Sequence, residues 1–225
     1  MSYFLPDRYV ARTDAIQDFE GEAQRKDDVQ REVYEESAKL ARELDLVTVI
    51  DLGTGSGWKL IKHFGKHSDG HIVGVDLPPA VAILRKRYPK ACWVTPDNLP
   101  YPEEMRKAGG TDLLICSDMI EHVEDPDATC ETIKSLNPKW IVMSTPDRDL
   151  VDRCFHPTNK TFGPPRNRCH VREWNFEEFD KYMASHFDVV RHFWSNEKQC
   201  TQAVIARLKS EGNYIDDSLL RRFAY

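Results

Sequence analysis

Apolar residues along the chain alternate between two rhythms. From Lys26 to Leu44, the small or apolar residues Val29, Val33, Ser37, Leu40 and Leu44 return every three or four places, which predicts an amphipathic helix. The run Val47-Thr48-Val49-Ile50 then suits a strand covered on both faces. Trp58, Leu60, Ile61 and Phe64 restore helical spacing, and His71 to Leu77 reads as a second strand. Pro78 and Pro79 open a helix through Tyr88, as proline's fixed φ allows in a first turn. Short strands follow at Ala91–Thr95 and Thr111–Cys116, then a helix from Pro126 to Leu136 and a strand from Trp140 to Ser144. Thr145 to Arg172 shows no clear period and is read as a long irregular segment, of the kind that is usually functional or disordered. A helix from Glu173 to Ser185 should turn Phe176, Phe179, Tyr182 and Met183 inward, and Phe187–Trp194 with Gln202–Leu208 closes the pattern as a strand pair.

Strands alternating with helices predict an α/β domain with helices on both faces of a largely parallel sheet. Residues 1–45 form an arm and a lid helix in this reading, 46–208 the domain, and 209–225 a mobile tail. Within the arm, Tyr3, Phe4, Tyr9 and Phe19 lack a period and fit either a loosely packed segment or a lid.

A length of 225 residues suits one full-sized core. The formal charge of −6 removes any general attraction to nucleic acid or anionic membrane, leaving room only for a local basic patch. No stretch approaches the roughly 18 apolar residues of a membrane span, and the first residues do not form a signal peptide. Cys92, Cys116, Cys130, Cys154, Cys169 and Cys200 are scattered with no C-x-x-C pair, which fits reduced thiols in a cytoplasm.

The candidate chemistry gathers at two strand ends. Asp51 closes the first strand, and Gly53, Gly55 and Gly57 follow with small residues between them, so the backbone can turn sharply and approach a ligand. A dinucleotide site needs a small third residue where this chain has Trp58, so the NAD reading fails there. Asp76 ends the second strand nineteen residues past Gly57, an offset at which a carboxylate can accept bonds from ribose hydroxyls. The fourth strand runs into Ser117-Asp118-Met119-Ile120-Glu121-His122 and then Asp125-Pro126.

D-x-G-x-G-x-G resembles the first motif of class I S-adenosylmethionine-dependent methyltransferases. D-L-L-I-C-S-D-M-I-E-H-V-E-D-P is similar to the fourth motif of their small-molecule branch, and H-V-R-E-W-N-F-E-E-F resembles the stretch before that family's last helix. The resemblance implies a Rossmann-like, doubly wound, seven-stranded and mostly parallel sheet with its last strand antiparallel. It implies S-adenosyl-L-methionine as cofactor, bound around Asp51, Gly53, Thr54, Gly55, Gly57, Asp76 and Leu77. Asp97 or Asn98 would read the adenine, and Ser117, Asp118 and Met119 would face the methionine end. A hydroxyl acceptor must lose a proton, which a histidine with a reference pKa of about 6.5 can take. His122 and His170, with Glu121 beside them, are the candidate catalytic residues, and no metal is required.

Three functions remain open. The first is O- or N-methylation of a small molecule such as a sugar or another biosynthetic intermediate; Arg166, Arg168 and Arg172 could hold an anionic acceptor. Gln30-x-x-Val33-Tyr34 and Gln199-Cys200-Thr201 loosely resemble bacterial enzymes of that kind. In the second, Asp118, Glu121, His122 and His170 resemble the E-x-x-E-H…H metal set of the small-RNA terminal 2′-O-methyltransferases, although the acidic chain makes nucleic acid an unexpected partner. The third is a non-catalytic cofactor-binding subunit. A zinc site of Cys154, His156, Cys169 and His170 matches no common spacing. The acceptor's identity and the oligomeric state are not encoded legibly.

Overall fold

The computed structural model describes residues 3–16, 19–24, 29–66, 71–98, 110–155 and 162–209. Its elements run α1 (Phe19–Gln24), α2 (Arg31–Glu43), β1 (Val49–Leu52), α3 (Trp58–Phe64), β2 (Ile72–Val75), α4 (Pro78–Arg87), β3 (Cys92–Val94) and β4 (Leu113–Ser117). There follow α5 (Pro126–Ser135), β5 (Trp140–Pro146), α6 (Arg148–Phe155), α7 (Phe176–His186), β6 (Phe187–Asn196) and β7 (Thr201–Leu208).

The strands make one seven-stranded sheet in the order β3-β2-β1-β4-β5-β7-β6. β1 to β5 pair in parallel, and β7 runs antiparallel to both β5 and β6. Successive residues of each strand point to opposite faces, so the core divides in two. Val49, Leu113, Ile115 and Val142 join Val33, Leu60, Phe64 and Leu84 of α2 to α4 on one face. Ile50, Leu114, Cys116 and Met143 join Cys130, Ile133, Phe179 and Met183 of α5 and α7 on the other. Strand order reverses at β1 and β4, and the carboxyl ends of such a pair leave a crevice.

The first strand begins at Val49 rather than Val47, which is 47% exposed, and runs on through Leu52. Three further predicted boundaries move, each for a local reason. The helix expected from Lys26 begins at Arg31, because Gln30 adopts a left-handed conformation (φ 63°) and its amide donates to Gln199 Oε1 at 2.9 Å. Val29 therefore leaves the inward stripe and is 43% exposed. The segment predicted to be irregular after Thr145 contains α6, whose Leu150, Val151, Cys154 and Phe155 fall at helical spacing. Asp147 starts it, its Oδ1 accepting from the amides of Asp149 and Leu150. The last helix starts at Phe176 rather than Glu173, since Asn175 and Glu178 form a reciprocal capping box. Phe176 is consequently only half-buried, its ring stacked on His192 with centroids 3.7 Å apart.

The arm is better anchored than its sequence suggests. Amides of Val10, Arg12 and Ile16 donate to the carbonyls of Phe162, Val171 and Arg168. The Tyr9 hydroxyl accepts from the Glu173 amide at 2.8 Å, and Trp174 Nε1 donates to Tyr3 O at 2.9 Å. The tail beyond Lys209, His156 and the Cys154 side chain lie outside the described residues. No described helix is long and apolar enough to cross a membrane.

Candidate active site

The glycine turn is pinned from below. Amides of Gly53 and Thr54 donate to Val75 O at 2.9 and 3.1 Å, tying the turn to β2. Asp51 is fully buried, its Oδ2 accepting from Thr54 Oγ1 at 2.7 Å and both its oxygens lying 3.0–3.1 Å from the Tyr34 hydroxyl. Burial pushes its carboxyl up to about 6. Asp51 thus supports the turn and does not line the cavity above it. Gly57 has φ +65°, and a Cβ there would come within 2.6 Å of the Trp93 ring. At Gly55 (φ +55°) a Cβ would meet nothing within 4 Å, so the backbone is bare toward open space. Met119 packs over Gly53, where an added Cβ would lie 2.4 Å from its Cγ.

That open space is a cavity of about 420 Å³ lined by the glycine turn, Asp76, Ser117, Asp118, Met119 and the residues that follow them. Asp76 Oδ2 accepts from the Gly55 amide and Oδ1 from the Leu77 amide, both at 2.7 Å. Each oxygen keeps a further lone pair, and burial raises the carboxyl's pKa. Leu77 precedes α4 and is not part of the lining. Asp97 and Asn98 lie in an exposed 3₁₀ turn after β3, also outside it, with Asn98 Nδ2 donating to Thr95 Oγ1 at 2.9 Å.

At the end of β4, Asp118 takes a left-handed turn (φ 47°). Its Oδ1 accepts from Ser144 Oγ at 2.6 Å and its Oδ2 from Gln30 Nε2 at 2.7 Å. Since the Ser144 hydroxyl hydrogen is used there, Ser117 Oγ, 2.9 Å away, must donate to it. Next comes a 3₁₀ turn, Ile120–His122. The Glu121 side chain is fully buried, Oε2 accepting from Thr145 Oγ1 at 3.0 Å, while Oε1 has no hydrogen-bond partner. Burial, then the Asp118 charge, pushes its carboxyl well above the usual range.

The imidazole tautomers follow from their partners. His122 Nδ1 lies 2.9 Å from Cys169 O, a carbonyl that can only accept, so Nδ1 carries the hydrogen and Nε2 a lone pair. Burial and then His170 push its pKa down to about 4, leaving a neutral ring. Asn167 Oδ1 accepts from the Cys169 amide at 3.0 Å, which turns its amino group toward His170 Nε2 at 2.8 Å. His170 Nδ1 consequently carries the hydrogen and donates to Glu173 Oε1 at 2.6 Å. Both Nε2 atoms face Glu121 Oε1, at 3.8 and 4.0 Å. These three ligand atoms lie within 4.8 Å of one another. Asp118, held by Gln30 and Ser144, is not part of this group, so three of the four residues in the considered metal set converge.

Several residues were missed by the sequence reading. Gln30 and Tyr34 line the cavity, and Gln30 joins Gln199, so the two loosely resembling stretches touch. Lys59 and Asn167 line it too, without any sequence signal. Arg172 serves otherwise than expected: it is buried and donates to Val123 O and Glu124 O, both at 2.7 Å, so it anchors the loop. Arg168 is exposed, whereas Arg166 borders a second cavity of about 390 Å³ that shares Pro146, Asn167 and His170 with the first.

Comparison with known proteins agrees with this geometry. A family model describing a methyltransferase domain matches residues 19–197. The ubiquinone biosynthesis O-methyltransferase of Paraburkholderia xenovorans (strain LB400) is 27% identical over 113 residues, 48% of this chain and 48% of that protein. The match therefore spans about half the length of that curated relative. The methyltransferase domain of a bacterial Hen1 superposes with a TM-score of 0.60 and 17% identity, over 80% of this chain and 100% of that one. Magnesium protoporphyrin IX methyltransferase from Synechocystis PCC 6803, solved with bound S-adenosylhomocysteine, gives 0.58 and 16%, over 83% and 89%. The bare backbone at Gly55 beside the free lone pairs of Asp76 gives a nucleoside sulfonium both close approach and hydroxyl acceptors. The chain thus belongs to the methyltransferase domain family and has the fold of class I S-adenosylmethionine-dependent methyltransferases.

Proposed function

We propose that this enzyme methylates a hydroxyl of a small-molecule acceptor, and that Glu121, His122 and His170 hold a divalent cation such as Mg²⁺ or Mn²⁺ against that hydroxyl. The observation that carries this reading is the convergence of one unpartnered carboxylate oxygen, the His122 Nε2 lone pair and His170 Nε2 beside the cofactor cavity; His170 Nε2 accepts from Asn167 Nδ2 at 2.8 Å, a bond that a cation would displace. The residues fit a cation: each ring nitrogen's tautomer is fixed through its other nitrogen, one by a carbonyl and one by a carboxylate, a common arrangement of metal-bound histidines. S-adenosylmethionine, when bound, supplies a methyl group already activated on a sulfonium, so the protein's work is alignment and exclusion of water. A cation at the three donors would supply acidity to a coordinated hydroxyl. Asp76 accepts from ribose hydroxyls, Gly55 leaves the backbone open to the cofactor, and Met119 walls the crevice. The acceptor approaches through the second cavity, across Pro146, Asn167 and His170.

A specific observation favours a second reading. The convergent residues match three of the four in the metal set of the small-RNA terminal 2′-O-methyltransferases that the sequence resembles. Against it stand the net charge of −6 and the scarcity of cations around the two cavities, where only Lys59 and Arg166 are lysine or arginine among the described lining residues.

The test is transfer of a labelled methyl group to a panel of small hydroxyl compounds and to a 3′-terminal oligoribonucleotide. Dialysis against EDTA should lower turnover by at least about tenfold, and Mn²⁺ or Mg²⁺ should restore it. Glu121→Gln should lose that response. Full activity in EDTA would sink the metal, and methylation confined to the oligoribonucleotide would replace the small acceptor by RNA.

A further inference from the structure

The charges around the cofactor cavity are unbalanced. Asp76, Asp118 and Glu121 contribute carboxylates, and Lys59 is the one lysine or arginine among the described lining residues. Lys59 sits in the first turn of α3, its Nζ 5.7 Å from the centroid of the Tyr34 ring. It lies near enough to Asp51 and Asp118 to lower the pKa of both, yet no described carboxylate comes within ion-pairing distance of it. Among the described residues, this ammonium in the cavity has no carboxylate partner.

S-adenosylmethionine carries a ribose and adenine at one end and a free ammonium and carboxylate at the other. Asp76 marks the ribose end, beside Gly55. The cofactor's carboxylate would be repelled by the acids of the lining, and Lys59 is the one lysine or arginine side chain among the described lining residues that can offset them. Asp118 lies within Coulombic range of Lys59, so the two form an acid and a base matched to an amino-acid head group. We propose that Lys59 is the anchor for the carboxylate of the cofactor's methionine moiety. Tyr34 packs along one side of the Lys59 ammonium and, through Asp51, is tied to the glycine turn, so the anchor and the ribose acceptor are positioned by one framework.

Calorimetric binding of two ligands to the whole protein tests this. S-adenosylhomocysteine has the carboxylate, whereas 5′-methylthioadenosine keeps the nucleoside and lacks the amino acid. Lys59→Met should weaken S-adenosylhomocysteine by about ten- to hundredfold, the scale of a lost charge-assisted hydrogen bond. It should leave 5′-methylthioadenosine unchanged, which also reports that the fold is intact. Lys59→Arg should recover most of the loss, and Asp76→Ala should weaken both ligands together. Unaltered S-adenosylhomocysteine affinity in Lys59→Met would overturn the assignment. A parallel loss for 5′-methylthioadenosine would overturn it as well, making Lys59 a wall of the cavity and not a reader of the carboxylate. Neither result bears on the acceptor or the cation.

Discussion

Asp51 is a carboxyl whose chemistry is internal. Its pKa of about 6 in the folded protein, against about 3.9 in an unfolded chain, means the native state holds the extra proton between those values. Stability attributable to Asp51 is therefore greatest at acidic pH and falls as pH rises through that window, by on the order of 3 kcal/mol. Asp51→Asn, which mimics the protonated form, should lose this pH dependence. Chemical unfolding at pH 4, 5, 6 and 7 should show the variant gaining on the parent with rising pH; parallel curves would contradict it. At this scale the sequence showed the residues whose chemistry depends on a strand end: Asp76, Glu121, His122 and His170 all follow strands or motifs at readable offsets. It hid Lys59 and Gln30, because what each touches is set by another segment's approach, 88 residues away for Gln30 and Asp118; Asn167 bonds to its neighbours Cys169 and His170, within a loop that carries no period.

At the scale of elements, the glycine turn separates two effects that a sequence cannot. Gly55 and Gly57 share a positive φ and look equivalent in G-x-G-x-G, but only Gly57 has a ring in the way of a Cβ. Gly57→Ala should lower stability by roughly 1–3 kcal/mol through overpacking against Trp93 and backbone strain. Gly55→Ala should cost less stability and more cofactor affinity, because its Cβ enters the open space a ligand would use. A thermal melt with and without S-adenosylhomocysteine distinguishes them, and equal melting points for the two variants would refute the distinction. Helix ends were misplaced even where a side chain closes them, as at Asn175-x-x-Glu178, where the helix was expected from Glu173. Nor were they legible at Gln30, whose left-handed backbone is fixed by Gln199 from the far end of the chain, and α6 lies in the segment read as irregular although Leu150, Val151, Cys154 and Phe155 fall at helical spacing.

Across the whole molecule, alternation of strands and helices was readable because both faces of the sheet bury apolar residues in step with the pleat. The arm was not, since it satisfies itself mainly through backbone hydrogen bonds that leave no side-chain pattern. It lies along the segment that carries Asn167, Cys169 and His170, and so secures the acceptor side of the site. Removing residues 1–16 should preserve S-adenosylhomocysteine binding, which depends on the turn and Asp76, while reducing methyl transfer by at least about tenfold through misplacement of His170. Unchanged turnover in the truncated protein would detach the arm from the site.

The pairing of arm and loop also sets a timetable for assembly. Tyr9 and Glu173 are 164 residues apart, and Tyr3 and Trp174 are 171 apart. During synthesis the arm emerges early and waits while the parallel strands that form the cofactor crevice are made. Closing contacts over such separations is slow compared with local folding, so they come late in any folding route. The crevice can thus take shape before the acceptor wall exists, and a nascent chain passes through an interval in which it can recognise its cofactor but has nothing to which it can give the methyl group.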